Sequence, residues 1–383
     1  MLLLLLFAIP VVSGLNCTTL ASLCDCTDLQ NNLLKLVCNG KGIPDKESLP
    51  DNTAELHISG NTIENLTAHF LNKEMLQLTV LNLTNNEIKD VNESAFIHAD
   101  FKALEVLILD NNKLVLNGNR LIKGLNKLKT LSMRNAFYNG TFASLVGTAL
   151  RKSHTASLEN IILDNNDFSG GLLPTTFNFS LTGKGSKPNI KSISLRNTSL
   201  EILFPGTFNK THLPGLINLS LSDNNLQNVE KDVVNDFKQF PNTTIDFLGN
   251  PFTCNCRLYN FTTWINESSF VSNRENYTCS DESPKRNSGR KLLELDPIND
   301  LRDLCYDIEP ENPNETLYAS YIALSVVFGI VAILAMVILF LRRGEIKGYF
   351  MRMFNVAHET LSDKGGYTDM DNPYIPETPA VDV

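Results

Sequence analysis

Large apolar residues recur through the middle of the chain at a fixed spacing, L-x-x-L-x-L-x-x-N-x-L. The cleanest copies are Leu78–Leu81–Leu83–Asn86–Ile88, Leu104–Leu107–Leu109–Asn112–Leu114 and Leu216–Leu219–Leu221–Asn224–Leu226. Leu158–Ile161–Leu163–Asn166–Phe168 fits as well, a first copy runs Leu56–Ile58–Asn61–Ile63, and a last runs Ile245–Phe247–Asn250–Phe252. Two copies depart: Leu128–Leu131–Met133 is followed by Ala136, and Ile190–Ile193–Leu195 by Thr198, where asparagine belongs. Measured at the fourth position, the eight copies start at 56, 81, 107, 131, 161, 193, 219 and 245, in steps of 25, 26, 24, 30, 32, 26 and 26. Alternation within a copy predicts a short strand with one apolar face; repetition predicts stacked coils whose apolar faces form one core. Each asparagine is expected to turn inward at the coil's corner and bond backbone groups that would otherwise be buried unpaired. Ala136 cannot do this and Thr198 can do only part of it, so irregularity is expected at both. The two long steps predict longer loops in the middle copies.

This period is that of leucine-rich repeats, so the fold class is α/β, a leucine-rich-repeat horseshoe solenoid. Such a stack exposes apolar core at both ends and needs caps. The eight cysteines sit where caps belong. Cys17, Cys24, Cys26 and Cys38 precede the array, and Cys254, Cys256, Cys279 and Cys305 follow it, with none from 39 to 253. Each group of four allows three disulfide connectivities.

Hydropathy at the two ends adds a compartment. Residues 1–14 and 319–341 contain no Asp, Glu, Lys or Arg. Leu2 to Val12 is too short to span a bilayer and reads as a secretory signal cleaved near Gly14, although no Lys or Arg follows Met1. Ala319 to Leu341 is long enough to span. Asp307, Glu309, Glu311 and Glu315 precede it, while Arg342, Arg343, Lys347 and Arg352 follow, which places the N-terminal part outside the cell. Fourteen Asn-x-Ser/Thr sequons agree, since all precede the spanning segment: Asn16, Asn65, Asn82, Asn92, Asn139, Asn178, Asn197, Asn209, Asn218, Asn242, Asn260, Asn266, Asn276 and Asn314. None of the repeat asparagines lies in a sequon, as an inward-facing ladder requires. The expected order is signal 1–14, N-terminal cap 15–50, repeats 51–252, C-terminal cap 253–306, stalk 307–318, transmembrane helix 319–341 and cytoplasmic tail 342–383. The product would be a type I glycoprotein of the plasma membrane.

The caps resemble the flanking modules of extracellular leucine-rich-repeat proteins: C-x6-C-x-C-x11-C from Cys17, and Asn250-Pro-Phe-Thr-Cys-Asn-Cys256 followed by Trp264, Cys279 and Cys305. That resemblance implies the pairs Cys17–Cys26, Cys24–Cys38, Cys254–Cys279 and Cys256–Cys305. Further on, Arg290-Lys-Leu-Leu-Glu-Leu295, Ser320-Tyr-Ile and Gly344-Glu-Ile-Lys-Gly-Tyr349 are similar to segments of the trophoblast glycoprotein family. The tail after Tyr349 departs from that family apart from an Asp-Val ending. The resemblance implies inhibition of Wnt/β-catenin signalling through the low-density-lipoprotein-receptor-related co-receptor. A leucine-rich-repeat adhesion or synapse-organising protein is the alternative.

Composition narrows the partner little. The chain holds 33 basic and 42 acidic residues, and an excess of acid argues against nucleic acid. On the strand face, the second and seventh repeat positions give two alternating series: Glu105, Lys129, Glu159, Lys191 and Asp110, Arg134, Asp164, Arg196. These are either self-satisfied surface pairs or the rim of an interface centred on outward-facing Ile108 and Ile162. Asn82, Asn218 and Asn197 would carry glycans on or beside the same face, leaving copies three to five as the accessible patch: Ile108, Asp110, Arg134, Ile162 and Asp164. Lys285-Arg286 with Arg290-Lys291 is either a site for sulfated glycans or an ordinary solvated loop. In the tail, Tyr367-Thr-Asp-Met370 fits an adaptor or SH2 signal, and Val381-Asp-Val383 fits a PDZ groove. The six histidines are scattered, and no nucleophile elbow or phosphate loop is present, so neither an enzyme nor a cofactor is expected.

Overall fold

Three residues of extended chain per repeat are enough to build a sheet when every coil lays its strand beside the last. The computed structural model describes residues 24–302, except 41, 43–48, 69, 72, 74, 98–100, 117–120, 139–142, 153–155 and 180–187. All of these belong to one structural unit, Met1–Ile308. The strands are β1 (Asp25–Asp28), β2 (Leu34–Asn39), β3 (Thr53–Ser59), β4 (Asn65–Leu66), β5 (Val80–Asn82), β6 (Asp90–Val91), β7 (Val106–Ile108), β8 (Thr130–Ser132), β9 (Asn160–Ile162), β10 (Ser192–Ser194), β11 (Asn218–Ser220), β12 (Thr244–Asp246) and β13 (Val271–Ser272). Eleven of them form one sheet in the order β1-β2-β3-β5-β7-β8-β9-β10-β11-β12-β13; β4 and β6 pair separately. Only β1–β2 is antiparallel. The register keeps the fourth repeat position in line, Leu81 beside Leu107, Leu131, Ile161, Ile193, Leu219 and Ile245, all of them buried.

The helices are α1 (Ala143–Lys152), α2 (Lys231–Lys238) and α3 (Tyr259–Glu267). Helix α1 lies in the first of the two long repeat steps, where extra residues have room to form two to three turns. Behind the sheet, rings stack from coil to coil. Phe177, Phe208 and Phe237 lie 5.7 and 6.1 Å apart, and Trp264 of α3 continues the stack at 5.6 Å from Phe237. Offset aromatic stacking adds about 0.5–1.5 kcal/mol per pair beyond area burial, so this spine joins the last coils to the C-terminal cap.

Both caps are covalently closed. Cys24 is bonded to Cys38 and Cys254 to Cys279, across 14 and 25 residues of sequence. Loops of that length are worth about 3 kcal/mol each in the chain-entropy account. Cys26 is disulfide-bonded as well. Its implied partner Cys17 and the implied partner of Cys256, Cys305, lie outside the described residues, as does 319–341. Among the described residues no helix is long and apolar enough to cross a membrane.

Candidate interaction surface

The coil's corner positions everything on the strand face. After the seventh repeat position the backbone turns through left-handed φ in every copy: Gly60, Asn85, Asn111, Asn135, Asn165, Asn197, Asp223 and Gly249. Gly, Asn and Asp are the residues that tolerate this conformation. The next residue is the inward asparagine. The Asn112 Oδ1 accepts N–H bonds from Asn86 and Ile88 at 3.1 and 3.0 Å, and its Nδ2 donates to the Leu83 and Leu109 carbonyls. Asn224 does the same for Thr198, Leu200 and Leu195, and Asn250 for Leu226 and Leu221. At the two departures the backbone takes over the cross-coil acceptor, while the Thr198 hydroxyl still donates to the Leu195 carbonyl at 2.9 Å, the part of the asparagine's role expected of it. The Ala136 carbonyl accepts from the Leu114 N–H at 2.7 Å, and the Thr198 carbonyl from Phe168 at 2.8 Å.

With the corners fixed, the outward strand residues align. Ile108 on β7 and Ile162 on β9 are half-buried on the same face. They do not touch through a neighbouring apolar side chain, because Ser132 of β8 lies between them in register. Ser132 is buried, and its hydroxyl donates to Asp110 at 2.6 Å. The Arg134 guanidinium sits between two carboxylates, 3.3 Å from Asp110 and 3.3 Å from Asp164. Those carboxylates are 13% and 14% exposed against 43% for the arginine, so the acids are set into the sheet and the cation covers them. The arrangement recurs two coils on: Ser194 donates to Asp164 at 2.5 Å, as does the Arg196 backbone N–H at 3.0 Å. Here the guanidinium turns forward, 2.6 Å from Asp223. The pattern thus has a period of two coils, Ile-Leu-Asp then Ser-x-Arg, a regularity visible in the sequence once the strands are superposed.

The second-position series closes as two separate pairs, Glu105–Lys129 at 2.9 Å and Glu159–Lys191 at 2.8 Å. Each charge of the two series therefore has a partner on this face, with Arg134 shared by two aspartates. At the N-terminal end, Glu55 meets Lys35 at 3.1 Å and His57 at 3.3 Å. Partial burial pushes the Glu55 carboxyl up, but the hydrogen bonds and charges of Lys35 and His57 outweigh it and hold it below the ordinary range.

None of the sequon asparagines among the described residues is buried, whereas Asn86, Asn112, Asn166, Asn224 and Asn250 are. Asn82 on β5 and Asn218 on β11 stand on the strand face, and Asn197 at its edge. Asn16, Asn139, Asn314 and the tail residues Tyr367, Met370, Val381 and Val383 lie outside the described residues. The basic cluster of the C-terminal cap divides. Arg286 donates to the Asn299 and Asp300 carbonyls and Arg290 pairs with Asp300 at 3.2 Å, which leaves Lys285 and Lys291 as exposed cations. Two arginines that fasten the cap are poor candidates for holding a sulfated glycan. Among the described residues no group of three or more His, Cys, Asp or Glu could hold a metal ion.

Comparison with known proteins places this geometry. The family described as leucine rich repeat matches residues 51–114. Trophoblast glycoprotein of Macaca fascicularis is 25% identical over 363 residues, 90% of this chain and 80% of the relative. A phospholipase A2 inhibitor of Gloydius brevicaudus siniticus is 37% identical over 109 residues, 28% of this chain and 30% of the relative. The crystal structure of human trophoblast glycoprotein, also titled Wnt-activated inhibitory factor 1, superposes with a TM-score of 0.61 at 22% identity, covering 73% of this chain and 98% of that one. The chain is a leucine-rich-repeat protein homologous to trophoblast glycoprotein.

Proposed function

We propose that the protein is a single-pass glycoprotein of the plasma membrane, its N-terminus outside, that binds a protein partner on the strand face of β7 to β9. Through that contact it inhibits Wnt/β-catenin signalling at the low-density-lipoprotein-receptor-related co-receptor. The segment order from signal (1–14) through caps and repeats to spanning helix (319–341) and tail belongs to the same reading, with Val383 offered to a cytoplasmic PDZ domain.

The observation that carries it is the character of the β7–β9 face. Half-buried Ile108 and Ile162 stand among charges each of which already has an ion-pair partner, so a partner protein can cover them without stranding an unpaired ion. The strand-borne sequons Asn82 and Asn218 fall on either side of this window. The pathway rests on relationship: the human relative is titled Wnt-activated inhibitory factor 1.

The test is the pair Ile108→Asp and Ile162→Asp at unchanged surface expression. Partner capture from proximity labelling and repression of a β-catenin reporter should both fall at least tenfold, since each buried charge costs more than the ~1.4 kcal/mol that a factor of ten requires. Unchanged capture excludes this face. Clustering of protein-coated beads without any reporter effect would favour an adhesion protein instead.

A further inference from the structure

The last coil and the C-terminal cap enclose a groove of about 410 Å³ that the strand-face reading does not use. Its walls are the end of α2, the lead into β12, the end of α3 and the lead into β13. The floor is aromatic: Phe240 is 2% exposed, and Trp264, 7% exposed, is stacked on Phe237. Phe270 stands at the mouth, 39% exposed, its carbonyl fixed by the Ile245 N–H at 3.0 Å. The rim is polar, with Lys238 and Glu267 among its residues.

Such a site suits a ligand with one apolar face and a polar edge. A pyranose ring is that kind of object: its axial C–H bonds form a face that packs on an aromatic ring, and its equatorial hydroxyls reach rim donors and acceptors. The volume lies in the range of about 300–1,000 Å³ found for small-ligand sites. A source of such rings is attached to the wall itself. Asn242, an exposed sequon asparagine, sits between Pro241 and Thr243, both of which line the groove. A second sequon, Asn266, adjoins the groove only through Glu267 on one side, because Ile265 on the other belongs to the core.

The geometry points to the groove as the seat of the N-linked glycan of Asn242, with its first N-acetylglucosamine residues covering Phe270. Because the sugar is tethered, its effective concentration is set by one linkage and occupancy needs no strong intrinsic affinity. The glycan then acts as part of the cap, shielding an aromatic surface that an extracellular protein would otherwise expose.

The test uses the full-length glycoprotein from glycosylating cells, with glycopeptide mass spectrometry to show that Asn242 is occupied. Trp264 is the only tryptophan of the chain and lines the groove, so its fluorescence reports directly. N242Q should increase acrylamide quenching of Trp264 and lower the melting midpoint by about 2–4 °C, the shift that ~1 kcal/mol produces in a domain of this size. In an F270A background both effects of N242Q should vanish, while N266Q should leave quenching unchanged. An unoccupied Asn242, effects of N242Q and F270A that simply add, or quenching that responds to N266Q instead would each overturn the assignment.

Discussion

Asn112 shows how one side chain serves two coils: it takes two buried N–H groups of the preceding coil and returns its own amide hydrogens to two carbonyls. Leaving a buried donor unmet costs about 1–3 kcal/mol. Asn112→Ala should therefore lower unfolding free energy by about 3 kcal/mol in urea titrations. The reverse change, Ala136→Asn, should bring no gain, because the Ala136 carbonyl already holds Leu114 and the site is fully buried. A clear stabilisation would show that the backbone bond is a poor substitute. The inward asparagines were legible in the sequence because their spacing is chemical. The partial role of Thr198 was legible too, its hydroxyl meeting the Leu195 carbonyl, whereas the backbone carbonyls of Ala136 and Thr198 that accept from Leu114 and Phe168 were not, since main-chain acceptors leave no mark in residue type. Tyr277 offers a pH counterpart. Its hydroxyl accepts from the Phe247 N–H at 2.9 Å and donates to the Ser272 carbonyl at 2.6 Å. Burial, followed by the Asp246 and Glu275 charges, pushes its pKa well up against the opposing hydrogen bond. A folded pKa above the unfolded ~10 means stability fully present below that pH and lost as pH rises beyond it. Tyr277→Phe should cost about 1–3 kcal/mol at neutral pH. It should also flatten the decline above pH ~10, as followed by chemical unfolding across that range; an unaltered slope would assign the decline to other groups.

At the scale of elements, strands three residues long hold because each is one rung of a continuous ladder, not because any has strong β propensity. The apolar half of each rung was readable from alternation. The alternation of acid and base was readable as well; less so was the sharing, in which the half-buried Asp110 and Asp164 that follow β7 and β9 are both covered by the one arginine of the coil between them, Arg134. Charge alternation alone predicted a continuous series, yet the second-position residues close as two pairs, since each lysine reaches back to the preceding glutamate. Exposed pairs of this kind are worth about 0.2–1 kcal/mol, so their effect is to leave no charge of these positions unpaired rather than to hold the coils together. The aromatic spine from Phe177 to Trp264 went unseen because its members lie outside the consensus positions of the repeat, on the part of the coil behind the strand.

For the whole molecule, sequons divide the surface. Sequon asparagines are exposed or half-exposed wherever they are described, and the two on strands of the eleven-stranded sheet, Asn82 and Asn218, flank β7–β9 without entering it. Extending that coverage by one site gives the most direct test of the strand-face account. Thr130→Asn with Ser132→Thr puts a sequon asparagine on β8 two residues before the position between Ile108 and Ile162, on the same face, and retains the hydroxyl that donates to Asp110. Ser132→Thr alone serves as control. With residue 130 shown to be glycosylated and surface delivery normal, the account predicts loss of partner capture and of β-catenin reporter inhibition, with both retained in the control. Full inhibition by the glycosylated variant would contradict it.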